Sequence, residues 1–382
     1  MINITKLLSG FGTISEALKE EYDSYVSNLR FSNTSRPIIV WNITGKCNLK
    51  CKHCYLSSPK LSNELNTNEA LKLLEEIRDL RIPIVLISGG EPLIRNDIYK
   101  IIKYAIDLGL IVGISSNGTL IDKRVARRLL SLNVNYVGIS LDAANSEVHN
   151  YIRGLDNAFK LTMDGIKNCI DVGLKIGIRT LLIRKTLNEI PKIIELALNL
   201  NIKRLCLYHL VPTGRGEEFI YEDLSPNNKR ELIDYLYGYV KDSERKIEIL
   251  TVCNPADGIY IYLKALKENS KLANQVFKLL KLMGGCSAGS KIISIGPDGS
   301  VYPCQFLNNL PVGNIRKNSL REIISNNNPS LKLLRDRNRL TGKCGVCKFR
   351  DICGGCRARA YYYNGSYFSE DPGCYLTYDE TT

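Results

Sequence analysis

Three cysteines stand within eight residues in the stretch TGKCNLKCKHCYLSS (residues 44–58). Cys47, Cys51 and Cys54 follow an apolar run, so their thiolates would share one short loop at the end of a strand. Three sulfurs do not complete a tetrahedral zinc site, but they can hold three irons of a [4Fe-4S] cluster. The fourth iron then stays open. It could bind the amino and carboxylate groups of S-adenosylmethionine, and one-electron reduction would release a 5'-deoxyadenosyl radical.

A second group of seven cysteines lies near the other end of the chain. Zinc ribbons are one interpretation, since CxxC pairs are common zinc ligands, but seven is an awkward number for sites of four cysteines each. The remaining three of the thirteen cysteines, Cys169, Cys206 and Cys253, stand singly in apolar surroundings, and we expect them to be small core residues. The second group comprises Cys286, Cys304, Cys344, Cys347, Cys353, Cys356 and Cys374.

Apolar runs of strand length alternate with amphipathic segments between residues 37 and 250. Helical segments include NTNEALKLLEEIRDL, with Asn66 or Thr67 as a plausible cap, and IDKRVARRLLSL. Six strand–helix units in series predict an α/β fold, with a parallel sheet curved into a whole or partial barrel and helices outside. The predicted strands span residues 37–44, 84–90, 110–118, 136–142, 175–183 and 204–211.

The composition changes after about residue 283, where Gly, Pro, Asn and Cys become frequent. A region with so few long apolar runs needs another source of stability, and metal sites would supply it. We therefore place a domain boundary near Met283. The expected domains are a helical N-terminal extension (1–36), a core barrel (37–250), a helical linker (251–283) and a cysteine-rich domain (284–382).

The charge and the hydropathy of the chain limit the kinds of partner that it could bind. The chain of 382 residues has 52 Lys and Arg against 39 Asp and Glu, a net charge of +13, which would attract a polyanion. No run of five basic residues is present, which argues against a nucleic-acid-binding tail. No apolar run approaches the roughly 18 residues of a membrane span, and no signal peptide is visible. We expect a cytoplasmic protein without a nucleic-acid partner or membrane span.

The cysteine triplet, with Tyr55 behind it, resembles the CxxxCxxC signature of the radical S-adenosylmethionine superfamily. SGGEPL (88–93) resembles the glycine-rich segment of that family, and SSNGT (115–119), SLDAA (140–144) and HNYIRG (149–154) match further strand ends or lie just beyond them. The resemblance implies a partial (β/α)6 barrel. It also implies that Gly89, Gly90 and Glu91 meet the methionyl amino group. Further implied cofactor contacts are Tyr55, Ser116, Asn117, Ser140, Asp142, Arg153 and Arg179. We expect His53, inside the triplet, to be exposed.

The second cysteine group resembles the SPASM extension of many radical S-adenosylmethionine enzymes, which holds one or two auxiliary [4Fe-4S] clusters. By analogy, Cys286, Cys304 and Cys356 would share one cluster. Cys356 follows a spacing of two residues where the family has three. Seven ligands for two clusters would leave an iron open on the first, for substrate, water or a non-cysteine ligand. The other cluster would take Cys344, Cys347, Cys353 and Cys374.

Three stretches together resemble the haem-biosynthesis branch of these enzymes: RPIIVWNITGKCNLKCKHCY, CLYHLVPTGRGE (206–217) and CGGCRARAYYYNGSYFSEDPGC. The implied substrate is an iron tetrapyrrole with six carboxylates, from which two acetate side chains are removed. A low-potential electron donor such as ferredoxin or flavodoxin is implied as well.

Arg binds carboxylates in two-pronged fashion, so Arg179, Arg184 and Arg215 are candidate clamps for such a substrate. His209 and Arg215 are the candidate catalytic residues. Of Tyr208 and His209, only one can face the barrel interior, because successive strand residues point to opposite faces. We expect His209 to face inward.

Two alternatives remain within the superfamily. One is a maturase that cross-links or oxidises ribosomal peptides, although only about 36 residues precede the barrel, fewer than a peptide-binding domain usually needs. The other is a different modification of tetrapyrrole side chains, as in haem d1 synthesis. A non-enzymatic alternative is a cysteine-rich zinc or nucleic-acid module. Iron and sulfide analysis would separate the last from the first two.

Overall fold

The computed structural model describes residues 1–10, 36–56, 63–244 and 247–382. Of the helical extension expected before the barrel, strand β1 (Ile2–Asn3) and helix Ile4–Ser9 fall within these ranges. Residues 11–35 lie outside the described residues, so that part of the expectation is not addressed.

All six strands expected from the sequence form, and they pair in parallel in chain order. The first of these strands has a strand of the cysteine-rich half as its other neighbour, so the barrel stays open. The expectation of a partial parallel barrel is confirmed. The strands are β2 (Ile38–Asn42), β3 (Ile84–Ser88), β4 (Ile111–Ser116), β5 (Tyr136–Ser140), β6 (Ile176–Leu182) and β7 (Arg204–His209).

A seventh parallel strand, β8 (Glu248–Val252), follows β7 and was not expected. Its first residue is acidic, which shortens the run of apolar residues from which a strand is predicted. The structure buries Glu248 at 1% exposure, where it accepts a hydrogen bond from Asn3 at 2.6 Å and lies 3.5 Å from Arg204. These partners make the burial of the charge tolerable.

The cysteine-rich half extends the same sheet. Strand β9 (Ile292–Ile295) pairs in parallel with β2, and β10 (Ser300–Tyr302) and β11 (Gly313–Asn314) continue it antiparallel. Helix Ser270–Met283 ends at Gly284, whose φ of 68° is the left-handed conformation that suits glycine. That end coincides with the boundary expected near residue 283, but the sheet crosses it.

Helices cover the outside of the barrel. Asn66 caps helix Thr67–Asp79 by accepting a hydrogen bond from the Glu69 N–H, and the Glu69 side chain caps Asn66 in return. In the described ranges no helix is long and apolar enough to cross a membrane. The other helices are Ile98–Asp107, Lys123–Ser131, Ser146–Arg153, Ala158–Asp171, Arg184–Leu187, Ile190–Asn199, Pro226–Asp242, Ala256–Glu268, Leu320–Ile324, Pro329–Arg335, Gly342–Val346, Arg357–Asn364 and Tyr378–Thr381.

Candidate active site

The cysteine loop leaves the end of β2 and lies against the glycine-rich turn that follows β3. The Gly90 N–H donates to the Thr44 carbonyl at 2.8 Å, and the Glu91 N–H donates to the Lys46 carbonyl at 2.8 Å. A Cβ atom at Gly90 would stand 2.1 Å from the Lys46 carbonyl oxygen, and Gly89 has a φ of 138°. Two glycines are therefore needed here because the two backbones touch.

Cys51 is the buried member of the triplet and has a cation beside its sulfur. Arg153 Nη1 lies 3.8 Å from Cys51 Sγ, and Arg153 Nε lies 2.7 Å from Asp142 Oδ2. Asp142 is fully buried and also accepts a hydrogen bond from the Leu181 N–H at 2.9 Å. These contacts link the cysteine loop to the carboxyl ends of β5 and β6. The positive charge of Arg153 stabilises a thiolate at Cys51.

Glu91 lies behind the wall of the site rather than in it. Its carboxylate is completely buried and accepts hydrogen bonds from Ser116 Oγ at 3.0 Å and from the Asn117 N–H at 2.8 Å. Burial raises the pKa of Glu91 to about 7, and the hydrogen bonds from Asn117, Leu93 and Ser116 act against that rise. Glu91 thus holds the β4 end in place, and a contact with the methionyl amino group stays a prediction.

The cysteine loop, the glycine-rich turn and the ends of β4 to β7 surround a cavity of about 200 Å³. It lies at the carboxyl ends of the parallel strands, where ligands of such sheets bind. His53 is half-buried in its wall, so the expectation of an exposed His53 is wrong. The structure brings these predicted residues to the cavity: Cys47, Cys51, Cys54, Tyr55, Gly89, Gly90, Ser116, Asn117, Ser140, Asp142, Arg153, Arg179, His209 and Arg215.

Two of the candidate carboxylate clamps lie in unexpected surroundings. Arg215 borders the cavity, but its Nε donates to the Cys51 carbonyl at 2.7 Å and its backbone N–H donates to the Cys54 carbonyl at 3.0 Å. Arg184 is exposed, and its Nε donates to the Asp223 carbonyl at 3.3 Å. Arg215 therefore supports the cysteine loop, and the structure does not bring Arg184 to the site.

Tyr208, rather than His209, faces the barrel interior. Leu207 and His209 are buried on the outer face of β7, where His209 Nε2 lies 2.9 Å from Asp257 Oδ2 on helix Ala256–Glu268. Tyr375 Oη donates to the other oxygen of Asp257 at 3.0 Å. His209 reaches the cavity only where the strand ends. The inward orientation expected for His209 is wrong because the phase of alternation along β7 is the opposite one.

A second cavity of about 270 Å³ occupies the barrel interior and adjoins the first. The two cavities share the side chains of Arg179, Tyr208 and Phe306 among their walls, and together we call them the chamber. Arg204 and Tyr136 line its inner part and were not predicted. Arg204 stands four residues before Tyr208 on β7, so alternation along the strand could have placed it inside once the direction of Tyr208 was known.

The C-terminal cysteines separate into two sets, grouped as the SPASM resemblance implied. Cys286, Cys304 and Cys356 line the inner part of the chamber. Asp371 links the two sets, because it accepts a hydrogen bond from the Cys356 N–H at 2.7 Å and its own N–H lies 3.4 Å from Cys344 Sγ. The other set lines a separate small cavity and comprises Cys344, Cys347, Cys353 and Cys374.

All three cysteine sets fit iron–sulfur clusters, since each consists of thiols that line a cavity and has an arginine nearby. Arg153 lies beside Cys51, Arg357 lies beside Cys344, and Arg204 lines the cavity of the third set. Within the ranges described, no three Cys, His, Asp or Glu side chains converge as ligands of a single metal ion do. A four-iron cluster takes one thiolate per iron and does not require that convergence.

Comparison with known proteins gives matches along the whole chain. Residues 41–197 match the radical SAM superfamily, and residues 286–348 match the SPASM iron-sulfur cluster-binding domain. Fe-coproporphyrin III synthase of Methanosarcina barkeri is 37% identical over 400 residues, covering 100% of this chain and 98% of that protein. AdoMet-dependent heme synthase of the same organism is 36% identical, covering 88% of this chain and 95% of that protein. Pre-heme d1 synthase of Dinoroseobacter shibae is 33% identical, covering 91% and 88%.

Solved structures agree at the level of the fold. Streptococcus suis SuiB bound to its precursor peptide SuiA superposes with a TM-score of 0.73 at 22% identity, covering 96% of this chain and 82% of that chain. The two family domains indicate [4Fe-4S] clusters and S-adenosylmethionine as cofactors. Because sequence identity above 30% extends over nearly the full length of several relatives, the chain is an enzyme of the radical S-adenosylmethionine superfamily with a SPASM iron-sulfur domain.

Proposed function

We propose that this enzyme removes two acetate side chains from 12,18-didecarboxysiroheme and forms Fe-coproporphyrin III. The match to the relative named Fe-coproporphyrin III synthase supports this product, because it extends over 98% of that protein. The peptide-modifying alternative has less support, since the mycofactocin maturase of Mycobacterium tuberculosis is 29% identical whereas the relatives named after haem compounds reach 37%.

The observation that carries the proposal is the buried guanidinium of Arg179 beside a cavity that is largely apolar. Aliphatic side chains of β2, β3 and β4 line the inner part of the chamber, and Arg179 and Arg204 border it. Arg204 lies 3.5 Å from Glu248, whereas Arg179 forms no ion pair with a carboxylate of the described residues, and burying such a cation is costly. A tetrapyrrole offers an apolar ring for the walls and a carboxylate for Arg179, so the chamber matches both halves of the proposed substrate.

Arg179 is suited to hold the reacting side chain. It lines both cavities of the chamber, donates to Ser115 Oγ through Nη1, and its buried Nε has no hydrogen-bond partner among the described residues. A carboxylate bound to Arg179 would complete that donor set. It would also place an acetate at the boundary between the inner cavity and the wall formed by Gly89 and Ser116.

The chain's own residues provide position and shielding for this chemistry. When bound, the cluster and S-adenosylmethionine supply a 5'-deoxyadenosyl radical, which can abstract hydrogen from an unactivated carbon. The turn at Gly89 and Gly90 and the β4 end at Ser116 and Asn117 form the wall for the cofactor. Aliphatic side chains of β2, β3 and β4 line the inner cavity and would limit the water around the substrate, which protects a reactive radical from side reactions.

A low-potential donor such as ferredoxin or flavodoxin would reach the cysteines at the far end of the molecule. Lys343 and Arg350 line the small cavity of Cys344, Cys347, Cys353 and Cys374. Lys348 and Val346 are exposed beside it, Val346 at 69%. A positive surface with an apolar centre suits transient docking of an acidic redox protein. Such donors and such clusters operate in a reducing cytoplasm, which is where we place the enzyme.

The test is anaerobic incubation with reductant, S-adenosylmethionine and 12,18-didecarboxysiroheme, followed by mass spectrometry of the tetrapyrrole. We expect Fe-coproporphyrin III. Arg179→Lys keeps the charge but loses the two-pronged contact, so we expect KM for the tetrapyrrole to rise about tenfold. Arg184→Ala is the matched control and should leave KM unchanged. A tetrapyrrole recovered with both acetates while 5'-deoxyadenosine accumulates would eliminate this substrate.

A further inference from the structure

Cys253 is distant in sequence from the C-terminal cysteines but lies among them in the fold. It follows β8 directly and lines the inner part of the chamber together with Cys286, Cys304 and Cys356. Cys253 also packs in one apolar cluster with Cys304 and Cys356. Four thiols therefore face the same part of the chamber, and the expectation that Cys253 is an isolated core residue is wrong.

The backbone at Cys253 is held in a conformation that side chains rarely adopt. Its φ is 68°, in the left-handed region, which strains a residue that has a side chain. Arg359 stabilises this turn, since its Nη2 donates to the Cys253 carbonyl at 2.9 Å. Strained residues of this kind concentrate at functional sites.

Arg359 connects the Cys253 turn to the segment that carries Cys356. Its side chain is fully buried and lies 3.3 Å from Asp371, whose Oδ2 accepts a hydrogen bond from the Cys356 N–H at 2.7 Å. The same guanidinium donates to the Leu210 carbonyl at 3.3 Å. One cation thus holds the ends of β7 and β8 against the auxiliary cysteines, as a metal site assembled from distant segments requires.

We propose that Cys253 is the fourth thiolate ligand of the auxiliary [4Fe-4S] cluster held by Cys286, Cys304 and Cys356. Every iron of that cluster then has a protein ligand, so the open iron expected from seven cysteines is filled. With that ligation, the cluster next to the chamber would offer the substrate no open iron. The inference rests on the family's iron–sulfur chemistry and is independent of which substrate occupies the chamber.

The test uses full-length protein in which Cys47, Cys51 and Cys54 are replaced by Ala, so that auxiliary clusters alone remain. In this parent, Cys253→Ala should lose one iron per chain, and after oxidation it should show the electron paramagnetic resonance signal of a three-iron cluster. Cys206→Ala is the matched control, because Cys206 lines the same chamber beside Arg204 and Tyr136. It should keep the iron content and spectrum of the parent. Equal iron content and spectra in both variants would overturn the assignment.

A second measurement can be made on the parent protein without replacing Cys253. Cyanide binds an iron that lacks a protein ligand and changes the spectrum of a reduced cluster. The parent should show no change with cyanide, whereas Cys253→Ala reconstituted with iron under reducing conditions should show one. A change of the parent's spectrum would reveal an open iron and refute four-cysteine ligation, whatever the result with the tetrapyrrole.

Discussion

Two arginines contact Cys51, one at its sulfur and one at its carbonyl oxygen. Arg153 Nη1 lies 3.8 Å from its sulfur, and Arg215 Nε donates to its carbonyl oxygen at 2.7 Å. From the sequence we expect Arg215 to bind the substrate carboxylates, because Arg is the preferred partner of such groups. In the structure its Nε hydrogen bond goes to the loop that would hold the first cluster. At the scale of single residues, Arg215 is therefore first a positioning residue for the cluster.

Replacing Arg215 with Ala should loosen the first cluster. The lost hydrogen bond from a charged donor to the Cys51 carbonyl is worth about 1.5–3 kcal/mol, so we expect a chelator to remove iron about tenfold faster or more. S-Adenosylmethionine cleavage should fall in parallel, and Arg215→Lys should recover part of it. Bleaching of the visible absorption with a chelator measures this, with Arg184→Ala as control. Normal iron retention with weaker tetrapyrrole binding would restore the substrate role of Arg215.

Elements of the two halves are joined by a two-pronged ion pair. Arg316, just after β11, donates to both oxygens of Glu69 at 2.7 and 2.8 Å, and its Nη1 donates to the Asn63 carbonyl at 3.0 Å. Glu69 also caps helix Thr67–Asp79. The Arg316 side chain and the Asn66 N–H lower the pKa of Glu69 to about 2. The ionised Glu69 thus fastens a barrel helix to the cysteine-rich half.

Arg316→Ala should lower the free energy of unfolding by about 1 kcal/mol, since the pair is partly exposed. Because the folded pKa of Glu69 is depressed, its contribution is complete above the unfolded value of about 4.5 and is lost only as pH falls towards about 2. The difference between variant and parent should therefore stay constant from pH 6 to pH 8, a range in which iron–sulfur clusters survive. Denaturant unfolding across that range checks this. A difference that changes with pH would show that another group is coupled to Arg316.

Over the molecule as a whole, some of the positively charged residues gather in two regions. Part of it lies inside the chamber as Arg179 and Arg204. Another part lies around the cavity of the second cysteine set, as Lys343, Lys348 and Arg350. The net charge of +13 therefore does not require a nucleic acid. It is consistent with a polycarboxylate substrate inside and an acidic electron donor outside.

Reversing the charge of Lys348 should slow electron delivery. Lys348→Glu removes attraction for an acidic donor, so we expect reduction by flavodoxin to slow about three- to tenfold at low salt, with the difference shrinking as salt screens the charges. Reduction by dithionite should be unchanged. Lys123→Glu, at the start of helix Lys123–Ser131, makes the same change of net charge and is the matched control. Equal slowing by both substitutions would point to the field of the whole protein instead of a docking site. Stopped-flow absorption of the clusters provides the rates.

Local patterns in the chain are enough to predict the iron–sulfur chemistry and the parallel sheet that supports it. The spacing of Cys47, Cys51 and Cys54 is a local property of one loop, so it predicts cluster ligation without knowledge of the fold. Six strand–helix units predicted the parallel barrel because each unit is recognisable from its own periodicity. The carboxyl ends of parallel strands lie at one edge of the sheet, so Ser116 and Asp142 are expected at one site, and both line the same cavity.

The packing of the elements sets which way some side chains face and which residues far apart in the chain meet. The strand before His209 is apolar on both faces, so alternation could not show whether Tyr208 or His209 points inward. Glu248 begins β8 with a charge, and its partners Asn3 and Arg204 come from distant parts of the chain, so the strand is recognised only in the fold. Cys253 joins the auxiliary cysteines only because the β8 end and the Cys356 segment are held together by Arg359. Contacts between segments far apart in the chain depend on how the elements pack, and local patterns carry no record of that packing.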